Sequence, residues 1–139
     1  MEATRKILLV EDEPLVLQTT AALLAEGGYQ VIAATGYAEA LAQLEAEPDA
    51  AVLVTDINLA GGGPDGVALA REAARRRPGL RIVIVSGAVR PLGGDYPGQA
   101  IFFTKPYAPG ALLAIVADGA AFENVPEAQP SGRSVVTGA

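Results

Sequence analysis

Short apolar runs that end in charged or hydroxyl residues recur along this chain. Lys6-Ile7-Leu8-Leu9-Val10 leads into Glu11-Asp12-Glu13, and Ala51-Val52-Leu53-Val54-Thr55 leads into Asp56. Residues 81–85 lead into Ser86, and residues 100–104 into Lys105-Pro106. Apolar runs of this length, rich in β-branched residues, fit buried parallel strands better than helices. Residues 30–34 make one further strand candidate. Helical spacing fills the intervals. Pro14 suits the first turn of a helix over 15–26, which places Asp12 or Glu13 beside its N-terminus, and Gly27-Gly28 stops it. Residues 37–47 are rich in Ala, Leu and Glu, with Leu41 and Leu44 inward, and Pro48-Asp49 breaks the pattern. Asp65 reads as the N-cap of a helix over 66–77, stopped by Pro78-Gly79. The last helix spans 108–121, with Pro109 in its first turn and Leu112, Leu113, Val116 and Ala120 on one face. Residues 89–98 hold Pro91 and Pro97 with three glycines, so the helix expected between the last two strands is short or degenerate. From Glu123 the pattern dissolves into small and polar residues, which predicts a flexible C-terminal tail over 123–139, with Val135-Val136 as a conceivable docking point.

Strands alternating with helices predict an α/β domain over 1–122 with one parallel sheet covered on both faces. Right-handed crossovers leave few topologies, and a five-stranded doubly wound sheet of order 2-1-3-4-5 (flavodoxin-like) has its switch point between the first and third strands. In that order the ends bearing Glu11-Asp12 and Asp56 are neighbours, about 4.8 Å apart by strand spacing. Clustered carboxylates repel and raise one another's pKa unless a cation intervenes, and a hard divalent ion such as Mg²⁺ suits oxygen donors. The main-chain carbonyl of Asn58 could add another oxygen. Ser86 lies one strand beyond Asp56, and Lys105 two strands away, roughly 10 Å, within reach of its flexible stem. Acids, a hydroxyl and an ammonium at strand ends are equipment for a phosphoryl group, and a carboxylate can form an aspartyl phosphate. Each residue alone has a plainer reading: Asp56 as a helix cap or turn former, Ser86 as a turn former, Lys105 as a solvated strand end. Their joint occurrence at strand termini favours the site.

The 139 residues fit one domain, and half of them are apolar, enough for a real core. No cysteine and no histidine occur, which excludes disulfides, thiolate or imidazole metal sites and a phosphohistidine on this chain. The net charge of −6 argues against a broad basic face for nucleic acid. Arg75-Arg76-Arg77 is the only basic run and reads as cations complementing a helix C-terminus. No apolar stretch approaches the roughly 20 residues that span a bilayer, and the N-terminus does not resemble a secretory signal. The expectation is a soluble, cytoplasmic protein.

The set Glu11-Asp12, Asp56, Ser86 and Lys105-Pro106 resembles the receiver domain of two-component response regulators, over about residues 5–121. The resemblance implies that Asp56 is the phosphoacceptor, that Glu11, Asp12, Asp56 and the Asn58 carbonyl hold Mg²⁺, and that Ser86 is the switch hydroxyl. It further implies that Lys105 contacts the phosphoryl group and that Phe102 occupies the switch-aromatic position, without the hydroxyl of the commoner tyrosine. The Lys105-Pro106 bond is a candidate cis peptide. The loop from Asp56 to Gly66 is two residues longer than the usual D-x-x-M-P-x-M-D-G, with Leu59-Ala60 for Met-Pro and three glycines. The implied function is a single-domain, non-enzymatic response regulator. It would take its phosphoryl group from a histidine kinase or histidine phosphotransfer protein, then signal by protein contact, with a homodimer possible, or act as a phosphate sink. Two other classes stay open: a receiver-like protein-binding module that is not phosphorylated, and an aspartate-nucleophile phosphohydrolase. The latter usually carries a second acid two residues after the nucleophile, where this chain has Asn58, which cannot titrate.

Overall fold

The computed structural model describes residues 5–59, 64–86, 97, 99–117 and 135–138. The elements run β1 (Lys6–Val10), α1 (Pro14–Glu26), β2 (Gln30–Ala34), α2 (Tyr37–Ala46), β3 (Ala50–Asp56), α3 (Gly66–Arg76), β4 (Arg81–Ser86), β5 (Ala100–Tyr107), α4 (Pro109–Ala117) and β6 (Val135–Gly138). All pairings are parallel, in the order β2-β1-β3-β4-β5-β6. The first five strands therefore stand in the predicted doubly wound order.

Alternation along the strands divides the core into two layers. Leu8, Val10, Leu53, Ile82, Ile84 and Phe102 pack against Ala40 and Leu44 of α2 and Leu69, Ala70 and Ala73 of α3. The opposite face presents Ile7, Leu9, Val52, Val54, Val83, Val85, Ile101 and Phe103 to Leu24 of α1 and to Leu112, Ile115 and Val116 of α4. This explains why the strands read as continuous apolar runs: both faces are covered.

The helix ends follow the local chemistry. Pro14 opens α1, and Gly28, at a φ of 99°, follows its close. The Asp65 side chain accepts from the Ala68 N–H at 3.0 Å, as its reading as an N-cap requires. The basic run is consumed by structure. Arg75 and Arg76 pair with Glu72, and Arg76 also reaches Glu45. Arg77 donates to the carbonyls of Leu44, Glu47 and Ala50, so it closes the C-terminal end of α2 as well as following α3.

The flexible tail expected over 123–139 is corrected at one place: Val135–Gly138 form a sixth strand on the edge of β5, while residues 123–134 and 139 lie outside the described residues. Two valines amid Pro, Gly and Ser carry too little pattern to predict a strand; the open edge of β5 supplies the partner that a local reading lacks. The short or degenerate helix expected between β4 and β5, the glycine-rich stretch 60–63 and the expected continuation of the last helix over 118–121 lie outside the described residues, apart from Pro97 and Gln99 before β5. Among the described residues, no helix is long and apolar enough to cross a membrane.

Candidate functional site

The C-terminal ends of β1, β3, β4 and β5 deliver the polar residues of the site to one end of the sheet. Glu11 follows β1 directly. Its backbone N–H is tied to the Ala34 carbonyl at 3.0 Å, and its Oε2 accepts from the Glu13 N–H at 3.1 Å. The chain must turn here to start α1 at Pro14, and that turn folds the Glu11 carboxylate, only 6% exposed, back over the strand end. Asp56 closes β3. Its Oδ1 accepts from the Ile57 N–H at 2.9 Å, and the buried Thr55 hydroxyl donates to its backbone carbonyl at 2.9 Å.

Carboxylate oxygens of Glu11, Asp12 and Asp56 all lie within 4.8 Å of one another. Burial pushes the Asp56 carboxyl above its ordinary range, and the Asp12 charge adds to this; Lys105 and the backbone N–H groups of Ile57 and Asn58 oppose it. Burial likewise raises Glu11, with further repulsion from Asp56 and Asp12, against the Glu13 N–H and Lys105. A trio of this kind is costly while it stays unneutralised. Its donors are all hard oxygens in a half-buried pocket, so the residues fit a small divalent cation of the Mg²⁺ type.

Lys105 reaches the trio from β5. Its Nζ lies 3.7 Å from Asp56 Oδ2 and 3.9 Å from Glu11 Oε1. These separations allow attraction but exceed hydrogen-bond length, so the ammonium hangs between two acids without closing on either. Ser86, 5% exposed, ends β4, between Asp56 of β3 and Lys105 of β5 in the sheet order. In register it stands opposite Thr104, the residue before Lys105. Asn58 is exposed after β3, between Ile57 and Leu59, which pack against the core. Phe102 is 1% exposed, with its ring in the core layer shared with α2 and α3 rather than in the acid pocket.

The structure thus brings Glu11, Asp12 and Asp56 together and sets Lys105 against Glu11 and Asp56, with Ser86 ending the strand between and Phe102 in the core. Three contributors were not identified from sequence. The Glu13 backbone N–H orients Glu11, and Thr55 braces the Asp56 main chain. Gly66 is the third. A Cβ there would stand 1.9 Å from the Asp56 carbonyl oxygen and 2.9 Å from Ile57 Cα, and its N–H donates to the Ile57 carbonyl at 2.6 Å. The first residue of α3 is therefore pressed against the backbone that carries Asp56. The sequence signal was a glycine directly after an N-cap, a position that does not itself need glycine; only the close approach explains it.

The comparisons with known proteins agree with this geometry. The family model described as "Response regulator receiver domain" matches residues 7–117. The aerobic respiration control protein ArcA of Escherichia coli is 34% identical over 112 residues, which cover 78% of this chain and 45% of that protein. The response regulator receiver protein CpdR of Brucella abortus is 33% identical over 107 residues, covering 74% of this chain and 86% of that protein. The sensor protein TorS of Escherichia coli matches at 39% over 85 residues, 60% of this chain but only 9% of TorS. The chain thus spans less than half the length of ArcA and a small part of TorS. Among solved structures, a response regulator receiver protein from Sinorhizobium medicae superposes with a TM-score of 0.76 at 29% identity, covering 81% of this chain and 91% of that one. A CheY-like receiver domain protein from Methanospirillum hungatei gives 0.71 at 28% identity, covering 82% and 91%. With the strand order, the acid trio and the lysine all in place, the chain belongs to the response regulator receiver domain family of two-component systems.

Proposed function

We propose that this receiver domain accepts a phosphoryl group on Asp56 from a histidine kinase or histidine phosphotransfer protein, in a reaction that depends on Mg²⁺. The observation that carries the reading is the single pocket in which three carboxylates cluster within 4.8 Å and Lys105 Nζ stands 3.7 Å from Asp56. An Asp56 carboxylate oxygen forms the new O–P bond while the P–N bond of the donor breaks and the imidazole leaves. Glu11, Asp12 and Asp56, with the Asn58 carbonyl, would hold the metal, which supplies charge neutralisation for the transferring group. Lys105 moves the short distance from its position between the acids onto a phosphoryl oxygen, and the Ser86 hydroxyl donates to another. The Phe102 ring, on the strand that carries Lys105, repacks as that strand end shifts. The chain itself turns over no separate substrate. It passes the signal on by protein contact or drains phosphoryl groups as a sink, and it acts in the cytoplasm.

The test is to incubate the protein with Mg²⁺ and acetyl phosphate and to follow intact mass. The expected result is a gain of one phosphoryl group that survives acid and is lost in base, and that requires Mg²⁺. Uptake of the same group by Asp56→Asn would overturn the acceptor assignment. Rapid, repeated hydrolysis of free phosphate esters would favour a phosphohydrolase instead.

A further inference from the structure

The acids of the site stand on interior strands. β1 is paired with β2 and β3, and β3 with β1 and β4. Lys105 alone comes from β5, and β5 is flanked on its outer side only by β6. The register there is specific. Phe102, Phe103 and Thr104 pair with Val135, Val136 and Thr137; the register then shifts, and Tyr107 pairs with Gly138. The shift brackets Lys105-Pro106. Proline has no N–H, so the β5 ladder cannot run through it unbroken. β6 grips β5 immediately before the lysine and again just after the proline. On the other side, Thr104 pairs with Ser86 of β4. The row Ser86, Thr104, Thr137 thus crosses three strands beneath the lysine. Without β6, this corner would lie on an open sheet edge, with its outer backbone groups unpaired.

We propose that β6 is a positioning element for Lys105: by pairing with β5 on both sides of the Lys105-Pro106 corner, it fixes the backbone from which the ammonium reaches Asp56. The inference rests on the reading of Asp56 as phosphoacceptor. It assigns the C-terminal strand a part in the chemistry through its backbone pairing with β5. Its signature is selectivity, because β6 pairs with β5 and not with the strands that bear the acids.

The experiment compares the full chain with a variant ending at Ser134. Mg²⁺ affinity is measured by calorimetry and the phosphorylation rate with acetyl phosphate by intact mass. The expected result is an Mg²⁺ affinity within about twofold of the full chain and a phosphorylation rate lower by roughly tenfold, the kind of loss that a small misplacement of a positioned group produces. In a Lys105→Ala background the truncation should cost nothing more, since both changes remove the same contribution. Adding a peptide of residues 131–139 at millimolar concentration should restore the rate in the truncated chain and not in Lys105→Ala. If the truncated chain fails to fold, Val136→Pro and Thr137→Pro in the full chain replace it. Successive residues of a strand aim their N–H groups to opposite sides, so one of the two deletes a donor facing β5 and should lower the rate. An unchanged rate, a parallel loss of Mg²⁺ affinity, or multiplicative effects with Lys105→Ala would overturn the proposal while leaving the phosphoacceptor reading intact. Failure of the full chain to take any phosphoryl group would overturn both.

Discussion

Burial and mutual repulsion lift the Asp56 and Glu11 carboxyls, so the acid trio destabilises the metal-free protein. Asp56→Asn should therefore raise the melting temperature without Mg²⁺ by a few degrees, on the order of 1 kcal/mol, and, on the proposed Mg²⁺ reading, abolish the further rise expected when Mg²⁺ is added to the natural chain. Scanning calorimetry with and without the ion checks both. Glu72 shows the opposite sign. Hydrogen bonds from Arg75 and Arg76 lower its pKa from 4.5 to about 2. A depressed carboxylate contributes stability above its unfolded pKa and loses it as the pH falls through the folded value. The natural chain should lose that contribution between pH 4.5 and about 2, and Glu72→Gln should not. The difference should be small and should shrink in salt, because the pairs are solvent-screened. Leu15 is the large apolar side chain left exposed among the described residues, at 68%, in the first turn of α1 beside Glu11 to Glu13. If a kinase docks over this end of the sheet, Leu15→Ala should slow transfer from the kinase severalfold and leave uptake from acetyl phosphate unchanged. At this scale the sequence was informative about which side chains matter, since charged and hydroxyl residues closing apolar runs stand out. It was silent on what holds them, because the Glu13 N–H on Glu11 and the Thr55 hydroxyl on the Asp56 carbonyl are backbone partnerships that no residue type announces.

Two glycines separate rigid from yielding contacts between elements. At Gly66 an added methyl would meet the main chain of Asp56 and Ile57, which cannot move without displacing the end of β3. At Gly27, where α1 ends, it would meet the Leu113 Cδ2 of α4 at 2.5 Å, the far end of a side chain that can rotate. Gly66→Ala should cost roughly 2–3 kcal/mol in urea unfolding and depress phosphorylation along with it. Gly27→Ala should cost well under half as much and spare the site. Element boundaries were read from caps and breakers to within a residue or two wherever Pro, Gly or Asp punctuated the chain, as at Pro14, Asp65 and Pro78. β5 runs longer than its apolar pattern because it continues through Lys105-Pro106, where hydrophobicity has ended but pairing with β6 has not.

Across the whole molecule, the alternating pattern was sufficient to predict the strand order and hence which ends meet. Continuous apolar runs require two covering layers, and a right-handed doubly wound sheet then puts the first and third strands side by side. The sixth strand escaped that logic, since it exists by virtue of a partner far away in sequence. The Lys105 ammonium, drawn by two acids and hydrogen-bonded to neither at 3.7 and 3.9 Å, gives the molecule a particular temperament. Nothing has to be unfastened before an incoming group is clasped, and nothing new has to be built when it departs. On the proposed reading of Asp56 as phosphoacceptor, loaded and resting forms should then interconvert by a small local slide, and the memory of a signal would last only as long as one acyl phosphate survives water.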